Sequence, residues 1–176
     1  MAKKYIFMLG KNNTKEYDLI KNFLLENSDS FDLTNPKTLL WHSLFRFKIV
    51  GSDKDERFKE LLEKYKNELI SKTTNNIRFF DCPQHSNQEF DHYLFRLTPR
   101  MKESFLEEGI ILKFLCDSKN FYALEDPVFY NKGKAIGYVI SHDSEITILD
   151  EKSADYLMKK GVHFDYIDGE AQFCNK

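Results

Sequence analysis

From Gly109 to Leu149 the chain is a succession of short apolar segments, each broken by turn residues before it reaches helical length. Ile110–Cys116, Phe121–Leu124, Val128–Tyr130, Ala135–Ser141 and Glu145–Leu149 are separated by Asp, Ser, Asn and Gly. A parallel crossover needs a dozen or more residues, so connections this short permit only antiparallel neighbours. The spacing predicts a β-meander.

A meander must bury at least one face, and the rest of the chain offers amphipathic helices to cover it. Asn13, with Glu16 three residues on, forms a capping-box pattern before Tyr17, Ile20, Phe23 and Leu24, which recur at helical spacing up to the polar stretch Asn27–Asp32. The clearest stripe is Phe58, Leu61, Leu62, Tyr65 and Leu69, predicting a helix over Lys54–Ile70 with Asp53 as its cap and Glu56 completing a second box. Thr98-Pro99 opens a further helix that ends at Gly109. Asp150 caps a last one over Glu151–Lys160, with Ala154, Leu157 and Met158 turned inward and Gly161 as its stop.

Strands are expected at Tyr5–Leu9, Ile77–Phe80 and around Tyr93, Phe95 and Leu97, with a final one at Val162, Phe164 and Tyr166. Asn35-Pro36 suggests a helical turn over Lys37–His42, followed by a strand carrying Phe45, Phe47 and Ile49. Lys72–Asn76 and Asp81–Gln88 read as polar connections. The fold class is therefore α+β: a mostly antiparallel sheet, with a C-terminal β-meander, packed against amphipathic helices. Residues 1–176 are read as a single domain with a loose tail over 168–176.

Sixteen Phe, nine Tyr and one Trp supply the large apolar area such a core needs, which argues against disorder. A formal net charge of −2 lacks the basic excess of a general phosphate-backbone binder, so nucleic acid is not the expected partner. The three cysteines Cys82, Cys116 and Cys174 show no paired close spacing, and no apolar run approaches membrane-spanning length. A cytoplasmic location, with no membrane association, is the expectation.

Four groups of residues could carry chemistry. Cys82-Pro83-Gln84-His85 has a zinc-chelating spacing, with His92 seven residues further on as a third ligand, although a closed structural site needs a fourth. His142, Asp143 and Glu145 crowd one hairpin tip, where they could bind a cation or move a proton, or serve as a solvated turn. Phe45-Arg46-Phe47-Lys48, after Trp41 and His42, alternates rings with cations; it suits base stacking, or a strand with its rings inward. Asp126, Asp150 and Lys152 bracket the last part of the meander.

The order of helix, meander, Asp150-x-Lys152, helix and strand resembles the α-β-β-β-α-β core of the restriction-endonuclease-like nucleases. That resemblance implies that Asp126 and Asp150 bind Mg²⁺ and, with Lys152, orient a water whose pKa the metal lowers. Glu103 or Glu107 would supply the helix carboxylate. The sequence departs from the family in reading Glu125-Asp126-Pro127 where the family has Pro followed by Asp, and in an additional hairpin between the acids. Asp150 is also explained as a helix cap.

No phosphate-binding Gly-rich loop, G-x-S-x-G elbow or H-E-x-x-H helix occurs. The leading expectation is a small non-enzymatic domain that binds another protein, regulatory, immunity-like or inhibitor-like, with no cofactor. A metal-dependent nuclease or phosphodiesterase is the alternative; Mg or Zn enters only through it or the zinc-chelating reading.

Overall fold

The computed structural model describes residues 3–10, 12–36, 59–60, 62–79, 82–83, 89–108, 125–140 and 143–167. The helical turn expected at 37–42, the strand at 45–49, the first part of the helix at 54–70, the strands at 110–116 and 121–124, and the tail from 168 lie outside the described residues. So do His85, His142, Cys116 and Cys174.

In chain order the elements are β1 (Lys4–Met8), α1 (Thr14–Asn27), β2 (Ser30–Pro36), β3 (Leu69–Asn75), β4 (Ile77–Phe79), β5 (Cys82–Pro83) and β6 (Phe90–Arg96). After them come α2 (Pro99–Glu108), β7 (Glu125–Asn131), β8 (Lys134–Ile140), β9 (Glu145–Ile148), α3 (Glu151–Lys159) and β10 (Asp165–Ile167). Eight strands form one sheet in the order β10-β1-β9-β8-β7-β2-β6-β3, and β4 with β5 makes a separate pair. Every neighbouring pair is antiparallel. The mixed α+β class therefore holds, and the meander is present as β7-β8-β9. None of the described helices is long and apolar enough to cross a membrane.

Local chemistry explains the tightest turn. Lys132 and Gly133 both have positive φ, 51° and 76°, the two-residue turn that matches the twist of a hairpin. The tip is tied down by the end of α1 and the turn after it: Asn131 Nδ2 donates to the Asn27 carbonyl at 2.6 Å, and the Lys132 amide donates to Asp29 Oδ2 at 2.6 Å.

One sheet face carries the main core. Phe31, Phe95 and Phe129 come from neighbouring strands in direct register, with Phe31 stacked on Phe95 at 5.5 Å and tilted against Phe129 at 6.2 Å. Ile20, Leu24 and Leu25 of α1, Met101 of α2, and Ala154 and Leu157 of α3 are buried in the same cluster. Gly137 on β8 lets α1 approach the sheet closely, because a Cβ there would meet Leu24 Cδ2 at 2.9 Å and the Thr147 carbonyl at 2.8 Å.

Five local expectations are corrected. Ser30–Pro36, read as the end of a polar stretch and a helix cap, is an interior strand. Phe31 and Leu33 point into the core while Asp32 and Thr34 face the other way, so the segment is a half-polar strand. The helix expected up to Ile70 ends earlier: residues 62–64 are helical, 65–68 turn, and Leu69 and Ile70 begin β3. Lys72–Asn76, expected as a connection, supplies most of that edge strand, which backbone pairing to β6 holds although its side chains are largely exposed.

The remaining two corrections concern helix ends and faces. Asn13 does not cap α1 with its side chain; it accepts from the Gly10 amide at 2.7 Å and donates to the Met8 carbonyl at 2.8 Å. Glu16 turns to His163, accepting from its amide at 2.8 Å. Met158 is exposed, because it sits about 100° around the helix from buried Leu157.

Candidate functional site

The second face of the sheet mixes buried polar side chains with a small apolar cluster of Val128, Tyr138 and Ile140. In register, Thr147 of β9 lies beside Tyr138 of β8, Tyr138 beside Val128 of β7, Val128 beside Asp32 of β2, and Asp32 beside Leu94 of β6. One row along, Glu145 lies beside Ile140, and Thr34 lies between Glu125 and His92. Thr34, His92, Asp126, Glu145 and Thr147 are all buried. Burying polar groups in this number is costly without partners, so their hydrogen bonds decide what the face can do.

At the β9 end, Thr147 Oγ1 donates to Glu145 Oε1 at 3.1 Å. Burial pushes the Glu145 carboxyl above its usual 4.5, the nearby Asp143 charge adds to this, and the Thr147 bond and Lys4 oppose it. The Tyr138 hydroxyl is also pushed up, first by burial. Lys4 Nζ stands 5.9 Å from the Tyr138 ring centroid.

Toward the other edge, His92 Nδ1 is 2.8 Å from Asp32 Oδ2, and His92 Nε2 is 2.7 Å from the Ile77 carbonyl oxygen. A carboxylate and a carbonyl can only accept, so the charged ring, donating from both nitrogens, is the form that satisfies both contacts. Burial lowers the His92 pKa, but the Asp32 hydrogen bond and charge, the Ile77 carbonyl and Asp91 together outweigh it and leave the pKa above 6.5. The second Asp32 oxygen, Oδ1, is buried with no hydrogen-bond partner among the described residues. Burial and then the Asp32 charge push the Tyr130 hydroxyl up to about 12.

The sequence-predicted residues fall in different places. Asp126, the second residue of β7, has φ of 52° and is fully buried, where the pairing with β2 shifts register. Asp150 follows β9 and caps α3, accepting from the Ser153 amide at 2.9 Å and the Ser153 hydroxyl at 2.7 Å. The register puts Asp126 and Asp150 at opposite ends of the meander, about five residue steps or roughly 16 Å apart along the strands. Lys152 lies exposed on α3. The three are not brought together. Asp143 is exposed at the hairpin tip, whereas Glu145 is buried below it.

For the zinc pattern, Cys82 lies in β5 and His92 in β6, but His92 has committed both ring nitrogens. Among the described residues no group of three or more His, Cys, Asp or Glu could hold a metal ion. Asp32 was missed in the sequence because it sits in a stretch that reads as polar. The signal that could have found it is the alternation of Phe31 and Leu33 with Asp32 and Thr34.

Fold and site together define a mixed α+β protein with a polar band buried on one face of an antiparallel sheet. Comparison with protein-family models, curated proteins and solved structures finds no match to this chain.

Proposed function

We propose that this chain is a small protein-binding domain, regulatory or inhibitor-like, and that it docks its partner through the surface shared by α1 and α3. The observation that carries this reading is an exposed aromatic placed on a packed base. Tyr156 of α3 is 52% exposed, yet its ring rests on Phe23 of α1 at 5.8 Å. Leu19, one turn from Phe23, is also exposed, and Lys160 Nζ stands 5.7 Å from the Tyr156 centroid. A ring held in place by neighbours loses little entropy on binding, and Tyr with a flanking cation is typical of the few residues that dominate protein interfaces.

The test is a set of binding measurements with partners captured from the native host. Wild type, Leu19→Asp, Tyr156→Ala and a control on the far edge strand, Thr73→Ala, would be compared. A partner that loses about tenfold or more affinity for both patch variants and none for the control supports the reading. Equal binding by all four proteins would refute it.

A further inference from the structure

The β4–β5 pair follows β3 and precedes β6, and β4 runs close to β2 and β7. One polar contact between it and the main sheet is the Ile77 carbonyl on His92 Nε2, at 2.7 Å. The Ile77 amide is turned the other way, donating to Asn75 Oδ1 at 2.7 Å. The far side of the ring is fixed by Asp32 at 2.8 Å. β2, β6 and β4 are therefore joined through one imidazolium.

We propose that Asp32, His92 and the Ile77 carbonyl form a proton-operated latch, closed while the ring is charged and released when the ring loses its proton. The carboxylate keeps the proton on Nδ1, because an anionic acceptor holds it more strongly than a neutral carbonyl does. Deprotonation therefore occurs at Nε2, and its lone pair then faces the Ile77 oxygen at hydrogen-bond distance. Two acceptors in that position repel, in a part-buried setting where water cannot readily screen them. Ile77 and the β4–β5 pair move away, and the band containing Asp32, Thr34 and Asp126 gains access to water.

Among the described residues, the charged and titratable groups around the ring are few. Asp32 lies on β2, and Asp91 on the ring's own strand is paired with Lys72 of β3 at 2.8 Å. Tyr130 and Asp126 lie on β7, and β4 contributes the Ile77 carbonyl. The acids favour the charged ring, and Lys72 is already engaged by Asp91. The direction of the switch therefore follows the ring's own proton.

Two measurements test the latch on the full chain. NMR titration of the His92 ring is expected to show an imidazolium at pH 6.5 and a midpoint above that value. A ring already neutral at pH 6 would overturn the proposal without any variant. Hydrogen exchange at residues 77–79 and Cys82, corrected for the intrinsic rate, is expected to lose about tenfold protection as pH rises through that midpoint. The β8–β9 hairpin should keep its protection over the same range. In Asp32→Asn the His92 midpoint should fall, and the loss of protection should move to lower pH with it. If the exchange profile of folded Asp32→Asn matches wild type, or if residues 77–79 and Cys82 lose protection together with β8–β9, the latch is wrong.

Discussion

Gly137→Ala offers the most exacting check on how α1 and the sheet pack. A Cβ at this position would stand 2.8 Å from the Thr147 carbonyl oxygen, 2.9 Å from Leu24 Cδ2 and 3.3 Å from Ile148 Cδ1. Leu24 is a side chain and can shift, at the cost of disturbing a fully buried contact. The Thr147 carbonyl belongs to the neighbouring strand and can move only with β9. Overpacking of this kind costs about 1–3 kcal/mol, and the carbonyl contact puts this site toward the upper end. The Ala side chain returns about 0.5 kcal/mol by restricting the unfolded chain. The expected net loss is about 2 kcal/mol, or roughly 4–8 °C in Tm for a chain of this length.

The assay is thermal unfolding followed by circular dichroism, with Leu24→Ala and the double variant alongside. Leu24→Ala removes one of the two close contacts, so the double variant should be more stable than the sum of the singles by about 1 kcal/mol. Gly133→Ala serves as a second comparison, because its φ of 76° gives backbone strain but no atom lies within 4 Å of the new Cβ. It should show no coupling to Leu24. A Gly137→Ala Tm within about 1 °C of wild type, or strict additivity with Leu24→Ala, would refute the packing described.

Two further substitutions test the electrostatics. Asp150→Ala should cost about 1 kcal/mol at neutral pH through loss of the α3 cap. The Ser153 side-chain bond, above all, holds the Asp150 carboxyl below its usual 3.8, so this contribution is present above pH 3.8 and disappears as pH falls through the lower native value. Urea unfolding at pH 7 and at strongly acid pH would show the gap between wild type and variant closing. Glu145→Gln should behave in the opposite sense: burial raises the native pKa above 4.5, so the charged form costs stability above pH 4.5, fully so beyond the native pKa. The variant should be the more stable protein at pH 8, with the difference vanishing below pH 4.5; a loss at pH 8 would contradict it.

Much of the fold is legible where local chemistry and tertiary packing agree. Thr98-Pro99, Asp150 and Gly161 mark helix ends in the sequence and do so in the structure, with Gly161 at φ of 95°. The strands at Val128–Tyr130, Ala135–Ile140 and Glu145–Ile148 were visible because their apolar runs are cut by turn residues that favour positive φ. The missed strands share one cause: β2 and β3 carry so many polar side chains that composition reads them as connections. β2 lies between two strands and β3 is zipped onto β6, so backbone pairing to distant segments decides their conformation.

The same division holds for the candidate site. Asp126, His92 and Glu145 stood out as titratable residues near turns, but their expected groupings came from neighbours in sequence. Sheet register assigns the observed partners instead: Asp32 to His92 across sixty positions, and Thr147 to Glu145 along one strand face.

By itself the sequence determined the class of elements, the antiparallel meander and the placement of the last helix, because those depend on periodicity and turn stereochemistry over a few residues. Only the tertiary structure decided that β2 is an interior strand, that one face is aromatic and the other a buried polar band, and that Tyr156 is exposed on Phe23. Those outcomes depend on which distant strands pair, in what register, and how the helices pack on them, and a one-residue slip of a strand would send its side chains to the opposite face.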